Sequence, residues 1–174
     1  MRQILPIAAL LLASGCASSS STSRSTVIIR YNETADVTEY RSDPIRLTQS
    51  ADLVRYPVRM TLSAGCEGYQ NRCRPDYVSV RFEASQNIMQ RLNEDPLEIF
   101  VDGEHHAVQR EHYTGPIRDV SRAEYPSFQL PFGVLERIAT AESVRMDLGG
   151  NDITLPPARR AAIARFVQTV SGAR

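Results

Sequence analysis

The chain has 174 residues, with 20 basic and 20 acidic side chains, so its formal net charge is zero. Without a basic surplus it lacks the electrostatic footprint of a protein that binds nucleic acid or anionic lipid. All 20 basic residues are arginine, and the absence of lysine excludes a lysine Schiff base and serine–lysine dyads.

Residues 1–16 have the layout of a secretory signal. Arg2 supplies a positive start, residues 4–13 form an uncharged and mostly apolar run, and small residues precede Cys16. A membrane-spanning helix needs about 20 apolar residues, more than this run contains. Because the signal ends on a cysteine that a serine-rich stretch follows, it resembles the lipobox of bacterial lipoprotein precursors.

This resemblance implies a cellular location for the protein and a division of its chain into three parts. Residues 1–15 would be removed as the signal peptide, and Cys16 would carry acyl chains such as palmitate. Residues 16–26 would form a flexible tether, and residues 27–174 a single domain in the periplasm. Ala17, rather than Asp, follows the cysteine, which by the enteric sorting rule implies the periplasmic face of the outer membrane. The first expected partner is therefore the membrane itself, bound through the acyl chains.

Alternating apolar and polar residues predict strands in the first half of the domain. The pattern is clearest where Val58, Met60 and Leu62 would share one face while Arg59 and Thr61 share the other. The strands predicted in this half are residues 26–31, 35–41, 56–63 and 77–84. The last two would pair as a long hairpin.

Cys66 and Cys73 lie between the two strands of that hairpin. Exported proteins usually pair such cysteines, so we expect a disulfide across the neck of the loop. In the chain-entropy model, a loop this short gains about 2.5 kcal/mol of stability from the bond. The alternatives are a reactive thiol or half of a metal site.

The second half of the domain mixes short strands with two helical segments. Asp102-Gly103 is a strong two-residue hairpin signal between a strand at residues 97–101 and a return over residues 104–113. Further strands are predicted around residues 128–130, 144–148 and 153–155, with a short helical stretch at 134–141. The clearest helix begins at Pro156-Pro157 and runs to about residue 170.

An apolar stripe at helical spacing marks the inner face of this last helix. Its members are Ile163, Phe166, Val167 and Val170. Arg159, Arg160 and Arg165 lie off the stripe, and we expect them to face water. The predicted fold is thus mainly β, an antiparallel sandwich or meander with one short helix and a C-terminal amphipathic helix.

From residue 97 onward, the chain also resembles an uncharacterised β-rich domain of exported bacterial proteins. The shared features are Asp102-Gly103-Glu104, Phe128 and Leu130, then Leu135, Ile138, Ala139, Ala141 and Val144, followed by a hairpin and an amphipathic helix. The resemblance implies a β-rich domain with one C-terminal helix and brings no known activity.

Two groups of residues are candidates for a binding site. Tyr69, Arg72 and Arg74, in and beside the cysteine loop, combine residue types that favour binding hot spots with a loop whose ordering cost is low; the alternative is an ordinary polar hairpin tip. His106 and His112 are weaker metal candidates, since about 20 Å would separate them along one straight strand.

The sequence contains no Gly-x-Ser-x-Gly, phosphate-binding loop or His-Glu-x-x-His motif. We therefore expect a protein that is not an enzyme and needs no cofactor. The predicted function is a lipoprotein acting as an interaction or structural module with an envelope protein partner. The alternative is a lipoprotein that binds a small ligand between the sheet and the helix, with Phe166 lining the cavity.

Overall fold

A computed structural model describes residues 26–47, 57–69, 71–84, 97–110, 127–148 and 150–172. Within these residues the chain forms ten strands and two helices. The strands are β1 Val27–Asn32, β2 Val37–Ser42, β3 Ile45–Arg46, β4 Arg59–Glu67, β5 Tyr77–Glu83, β6 Leu97–Val101, β7 Glu104–Arg110, β8 Ser127–Pro131, β9 Val144–Asp147 and β10 Asp152–Thr154. The helices are α1, Phe132–Thr140, and α2, Pro157–Ser171.

The strands follow one antiparallel path, in the order β1-β2-β4-β5-β8-β7-β6-β9-β10, while β3 pairs with β4 beyond the end of β2. Strand β7 joins two parts of this sheet. Its first five residues pair with β6, and its last two, Gln109 and Arg110, pair with β8. The chain is therefore a six-strand part, β1 to β5 with β8, joined through β7 to a part made of β6, β9 and β10.

Alternate residues of the central strands build the core. In β5 and β8, Val78, Val80, Phe82, Phe128 and Leu130 are all buried, and their neighbours in sequence point the other way. Strand side chains alternate between faces, so the period-two pattern places one apolar face inside.

Both helices cover apolar surface. α1 buries Phe132, Leu135 and Ile138 and packs against α2. α2 contacts β1, β2 and β3 and buries the predicted stripe, to which the structure adds Ala162. Gly172 ends α2 in the left-handed conformation, with φ of 69°, which a residue without a Cβ adopts at little cost.

The predicted fold class is confirmed, since the described chain is a β-rich α+β fold of antiparallel strands with a short helix and a C-terminal helix. The Asp102-Gly103 turn is also confirmed. Both residues have positive φ, 50° and 85°, as a two-residue type I′ turn requires. Strand β3 was not predicted, because two residues are too few to show a period.

One strand boundary and two arginines differ from the sequence predictions. The strand predicted over residues 56–63 instead runs to Glu67 and so contains Cys66. Arg165 does not simply face water: its Nε is buried and has no hydrogen-bond partner among the described residues. Arg160 donates from Nη1 to the Leu155 carbonyl oxygen at 2.8 Å. The long apolar stem of an arginine can cover apolar surface, so an arginine outside the apolar stripe of the helix is not necessarily fully exposed.

Candidate interaction surface

The predicted disulfide is present. Cys66, at the end of β4, is bonded to Cys73, and their Cα atoms are 5.7 Å apart. Cys66 is buried in the core, so the bond ties the following loop, of which residues 68, 69 and 71–76 are described, to the interior. We call residues 66–76 the cysteine loop.

The cysteine loop is held by hydrogen bonds to three other elements. The Tyr40 hydroxyl, on β2, donates to the Asn71 carbonyl oxygen at 2.9 Å. The Cys73 N–H donates to the Val170 carbonyl oxygen of α2 at 3.1 Å, and the Phe132 N–H at the start of α1 donates to the Asp76 carbonyl oxygen at 2.9 Å. The loop therefore joins the sheet to both helices, a role that no local pattern indicated.

The two arginines predicted for recognition contact the protein's own helices. Arg74 makes an ion pair with Glu136 of α1, with Nη2 and Oε2 at 2.7 Å, and the hydrogen bonding raises the pKa of Arg74. Arg72 lies across the end of α2, where a Cβ added to Gly172 would come within 2.7 Å of the Arg72 Cδ. Both side chains are thus placed to hold the loop against the helices, and their role in recognition stays a prediction.

Tyr69 is exposed, with 65% of its surface open to solvent, and Arg72 and Arg74 are exposed as well. Its ring meets Tyr31 of β1 edge-on, with centroids 5.0 Å apart and planes at 84°. The Tyr31 hydroxyl donates to the Asp36 carboxylate at 2.6 Å, and this bond raises the pKa of Tyr31. We call Tyr31 and Tyr69 the aromatic pair.

The turn between β1 and β2 meets the cysteine loop beneath this pair. The Gly68 N–H donates to the Asp36 carbonyl oxygen at 2.7 Å, and the Thr38 hydroxyl donates to the Gly68 carbonyl oxygen at 2.6 Å. These bonds fix the position of Tyr69 relative to β1.

Strand β1 exposes apolar side chains on both faces. Ile28 is 41% exposed and Ile29 52%, and adjacent residues of a strand point to opposite faces. Among the described residues, no strand pairs with the outer edge of β1. Sequence reasoning placed this strand correctly but gave no sign of its exposure, because a β-branched run predicts a buried strand equally well.

The described part of the chain exposes four large hydrophobic side chains, Ile28, Ile29, Tyr69 and Tyr77. Three of them lie on β1 or beside its end in the aromatic pair, and Tyr77 lies on β5. Exposed apolar groups beside an unpaired strand edge can mark an interaction site. We therefore take β1 and the aromatic pair together as the candidate interaction surface.

His105 and His106 lie on opposite faces of strand β7. His106 lies opposite Ile99 of β6, and His105, opposite Phe100, points to the other face with its ring 5.0 Å from that phenyl ring. His112 lies outside the described residues, within which no three or more metal-ligating side chains are grouped to hold an ion.

The polar sequence of β7 is typical of an exposed strand, but His106 is largely buried, with only 14% of its side chain exposed. Its Nε2 is buried and makes no hydrogen bond to a described residue. The nearest acidic oxygen is Oε1 of Glu104, 3.7 Å away. Glu104 itself is held by Arg137 of α1 through two hydrogen bonds of 2.9 and 2.6 Å, which lower the pKa of Glu104.

Phe166, proposed to line a ligand cavity, and its neighbours Ile163 and Val170 on the apolar stripe are fully enclosed. Ile163, Phe166 and Val170 each have 0% of their surface exposed. A space large enough for a water molecule would expose part of any side chain that lined it. These three residues therefore pack into the core.

Cys16 and residues 17–25 lie outside the described residues. Of the helices that are described, neither has the length and apolar character needed to cross a membrane. Comparison of the chain with protein-family models, with curated proteins and with solved structures found no match.

Proposed function

We propose that this chain is a non-catalytic lipoprotein, acylated at Cys16 and held at the periplasmic face of the outer membrane, whose domain acts as an interaction module. The observation that carries the proposal is the grouping of Ile28, Ile29 and Tyr69 as exposed side chains at one edge of the sheet. The lipobox-like sequence before Cys16 supports the membrane anchor.

The physical case for binding rests on what this surface would gain when covered. Burying apolar area contributes about 25 cal/mol for each Å² removed from water, and tyrosine is common at binding hot spots. An open strand edge adds backbone hydrogen bonds to a partner strand. Because the cysteine loop holds Tyr69 in place, little conformational freedom would be lost on binding.

The position of the surface suits a tethered protein. β1 is the first described strand, and Thr26 directly before it is held by the Asp43 carboxylate, with N and Oδ2 2.8 Å apart. If the part of the 16–26 tether that precedes Thr26, residues 16–25, behaves as a flexible chain, its root-mean-square length would be about 16–19 Å. The surface would therefore work close to the membrane.

We favour this function over small-ligand binding because of the packing of α2. A cavity beside Phe166 would require the enclosed side chains of Ile163 and Val170 to separate. Three of the four large apolar side chains that the described residues expose lie instead on β1 and in the aromatic pair, where they are available without rearrangement.

Intact mass spectrometry of protein purified from native membranes tests the anchor. The expected mass is that of a chain beginning at Cys16 with its acyl chains, and reduction should add the two hydrogens of an opened disulfide. A mass without acyl groups would refute the anchored location.

Photo-crosslinking tests the interaction surface. A photo-reactive residue is placed at Tyr69 or Ile28, and at Thr154 as the matched control, an exposed position on β10 at the opposite end of the strand order. Lysine-reactive reagents are unsuitable, since the chain has no lysine. A discrete adduct is expected at Tyr69 and Ile28 but not at Thr154. Indistinguishable patterns at all three positions would contradict the proposal.

A further inference from the structure

We propose that the partner of β1 is β1 of a second copy of this chain, paired antiparallel about a two-fold axis at Ile29. This inference rests on the proposed function and names the partner of the same surface. It follows from which backbone groups β1 turns outward and from which side chains meet in each register.

The outward-facing backbone groups can be identified from the hydrogen bonds of the β1–β2 pair. The Asp43 N–H donates to the Thr26 carbonyl oxygen at 2.9 Å, so Thr26 turns its carbonyl towards the β2 side. Antiparallel ladders alternate between bonded and non-bonded pairs. Ile28 and Arg30, opposite Arg41 and Glu39, therefore bond to β2 as well.

It follows that Val27, Ile29 and Tyr31 turn their backbone N–H and C=O groups away from β2, to the outer edge. An antiparallel partner must bond to these three residues. Placing Ile29 opposite Ile29 of the second copy pairs Val27 with Tyr31 in both directions and uses every outward group. Three bonded pairs with two hydrogen bonds each would close the edge.

The side chains fit in this register. On one face Ile29 meets its copy and Val27 meets Tyr31, so every contact is apolar. On the other face Ile28 meets Arg30 of the second copy, whose long stem covers apolar surface. Arg30 keeps an opposite charge beside it, because Glu39 lies across from it on β2.

The two neighbouring registers fit less well. Sliding the strands so that Ile29 meets Tyr31 would set Arg30 directly opposite Arg30 of the second copy, and like charges in that position are destabilising. Sliding the other way, so that Val27 meets Ile29, would leave Tyr31 outside the pairing. Charge and length together favour the register centred on Ile29.

A second copy is favoured over a foreign strand because β1 complements itself. Natural edge strands usually avoid self-association through lysine, proline or inward charges, whereas Val27–Asn32 has only Arg30 as a charged residue. Copies tethered to one membrane would also meet at a raised effective concentration.

Cysteine crosslinking in native membranes tests the register. In the proposed pair, the Cα atoms at position 29 would be about 5.5 Å apart, within the range that a disulfide spans. The full chain with Ile29→Cys should therefore form a linked dimer under mild oxidation. Ile28→Cys is the matched control, since its Cα atoms would be about 8 Å apart, beyond disulfide reach. The unsubstituted chain controls for linkage through Cys16, Cys66 or Cys73.

No dimer at position 29, or equal dimer at positions 28 and 29, would overturn the pairing. A second variant, Ile29→Arg, sets like charges opposite each other at an exposed site. In detergent, its mass by analytical ultracentrifugation should fall from two chains to one, while Thr154→Arg should stay at two. A mass of two chains for Ile29→Arg would also overturn the inference.

The two experiments distinguish a failure of the homotypic pairing from a failure of the proposed function. If position 29 gives no dimer but the photo-crosslinker at Ile28 and Tyr69 still captures another protein, the homotypic pairing is refuted and the interaction module stands. If both the dimer and the adducts are missing, the two proposals fall together.

Discussion

Opening the Cys66–Cys73 disulfide should lower the free energy of unfolding by about 2.5 kcal/mol, because a loop of eight residues is freed in the unfolded chain. The two cysteines are 7 positions apart in sequence. In the folded protein the loop is still held by the bonds from Tyr40, Cys73 and Phe132. We therefore expect reduction to act mainly by raising the conformational entropy of the unfolded chain, while the native contacts remain.

The assay is urea unfolding of the purified full chain in detergent, followed by circular dichroism with and without reductant. The corresponding fall in the thermal midpoint is about 5–10 °C for a domain of this size. The matched control is the double variant Cys66→Ala/Cys73→Ala, whose midpoint should not respond to reductant. Equal midpoints for the oxidised and reduced protein would refute the loop-closure argument.

Three further predictions follow from the geometry of α2 and of the contacts around β7. Gly172→Ala should destabilise the fold by about 1–2 kcal/mol, because Gly172 has a left-handed backbone conformation that a Cβ disfavours. It should cost a further amount because the added Cβ would come too close to Arg72. Adding Arg72→Ala should recover only this second part of the unfolding free energy, as measured with urea. His106→Leu should raise the unfolding free energy by about 1 kcal/mol by removing a buried nitrogen without a partner, and a lower value would mean that Nε2 is bonded in solution. Because Arg137 lowers the pKa of Glu104 from its usual 4.5, the ion pair stabilises the fold above that pH and its contribution is lost as the pH falls through the lowered pKa. Glu104→Gln should therefore flatten the acid side of the pH–stability curve, and unchanged acid sensitivity would contradict this.

The strands and helices were largely predictable, because their signals are local. The Asp102-Gly103 turn depends on two residues that tolerate positive φ, and the stripe containing Ile163 and Phe166 repeats with the period of a helix. The boundaries at Leu97 and Val101 agree with the structure for the same reason. Such patterns require no knowledge of the rest of the chain.

The candidate surface was predictable only in part. The position of the cysteines predicted the disulfide and the loop, and Tyr69 is exposed as a hairpin tip would be. The contacts of Arg72 and Arg74 depend on where the two helices lie against the loop, and the loop sequence does not contain that information. Ile28 and Ile29 were expected in a strand, but their exposure depends on β1 being an edge of the sheet.

The sequence alone determined which segments become strands or helices and which side of most of them is apolar, since backbone periodicity and side-chain alternation are local properties. Only the tertiary structure decided the strand order, in which β5 pairs with β8 and β7 joins the two parts of the sheet. That order depends on contacts between residues far apart in the chain, whose energies no short window of sequence contains. The same long-range pairing turned His106 inward and placed β1 at the end of the described strand order, so the surface proposed for binding exists only once the sheet is assembled.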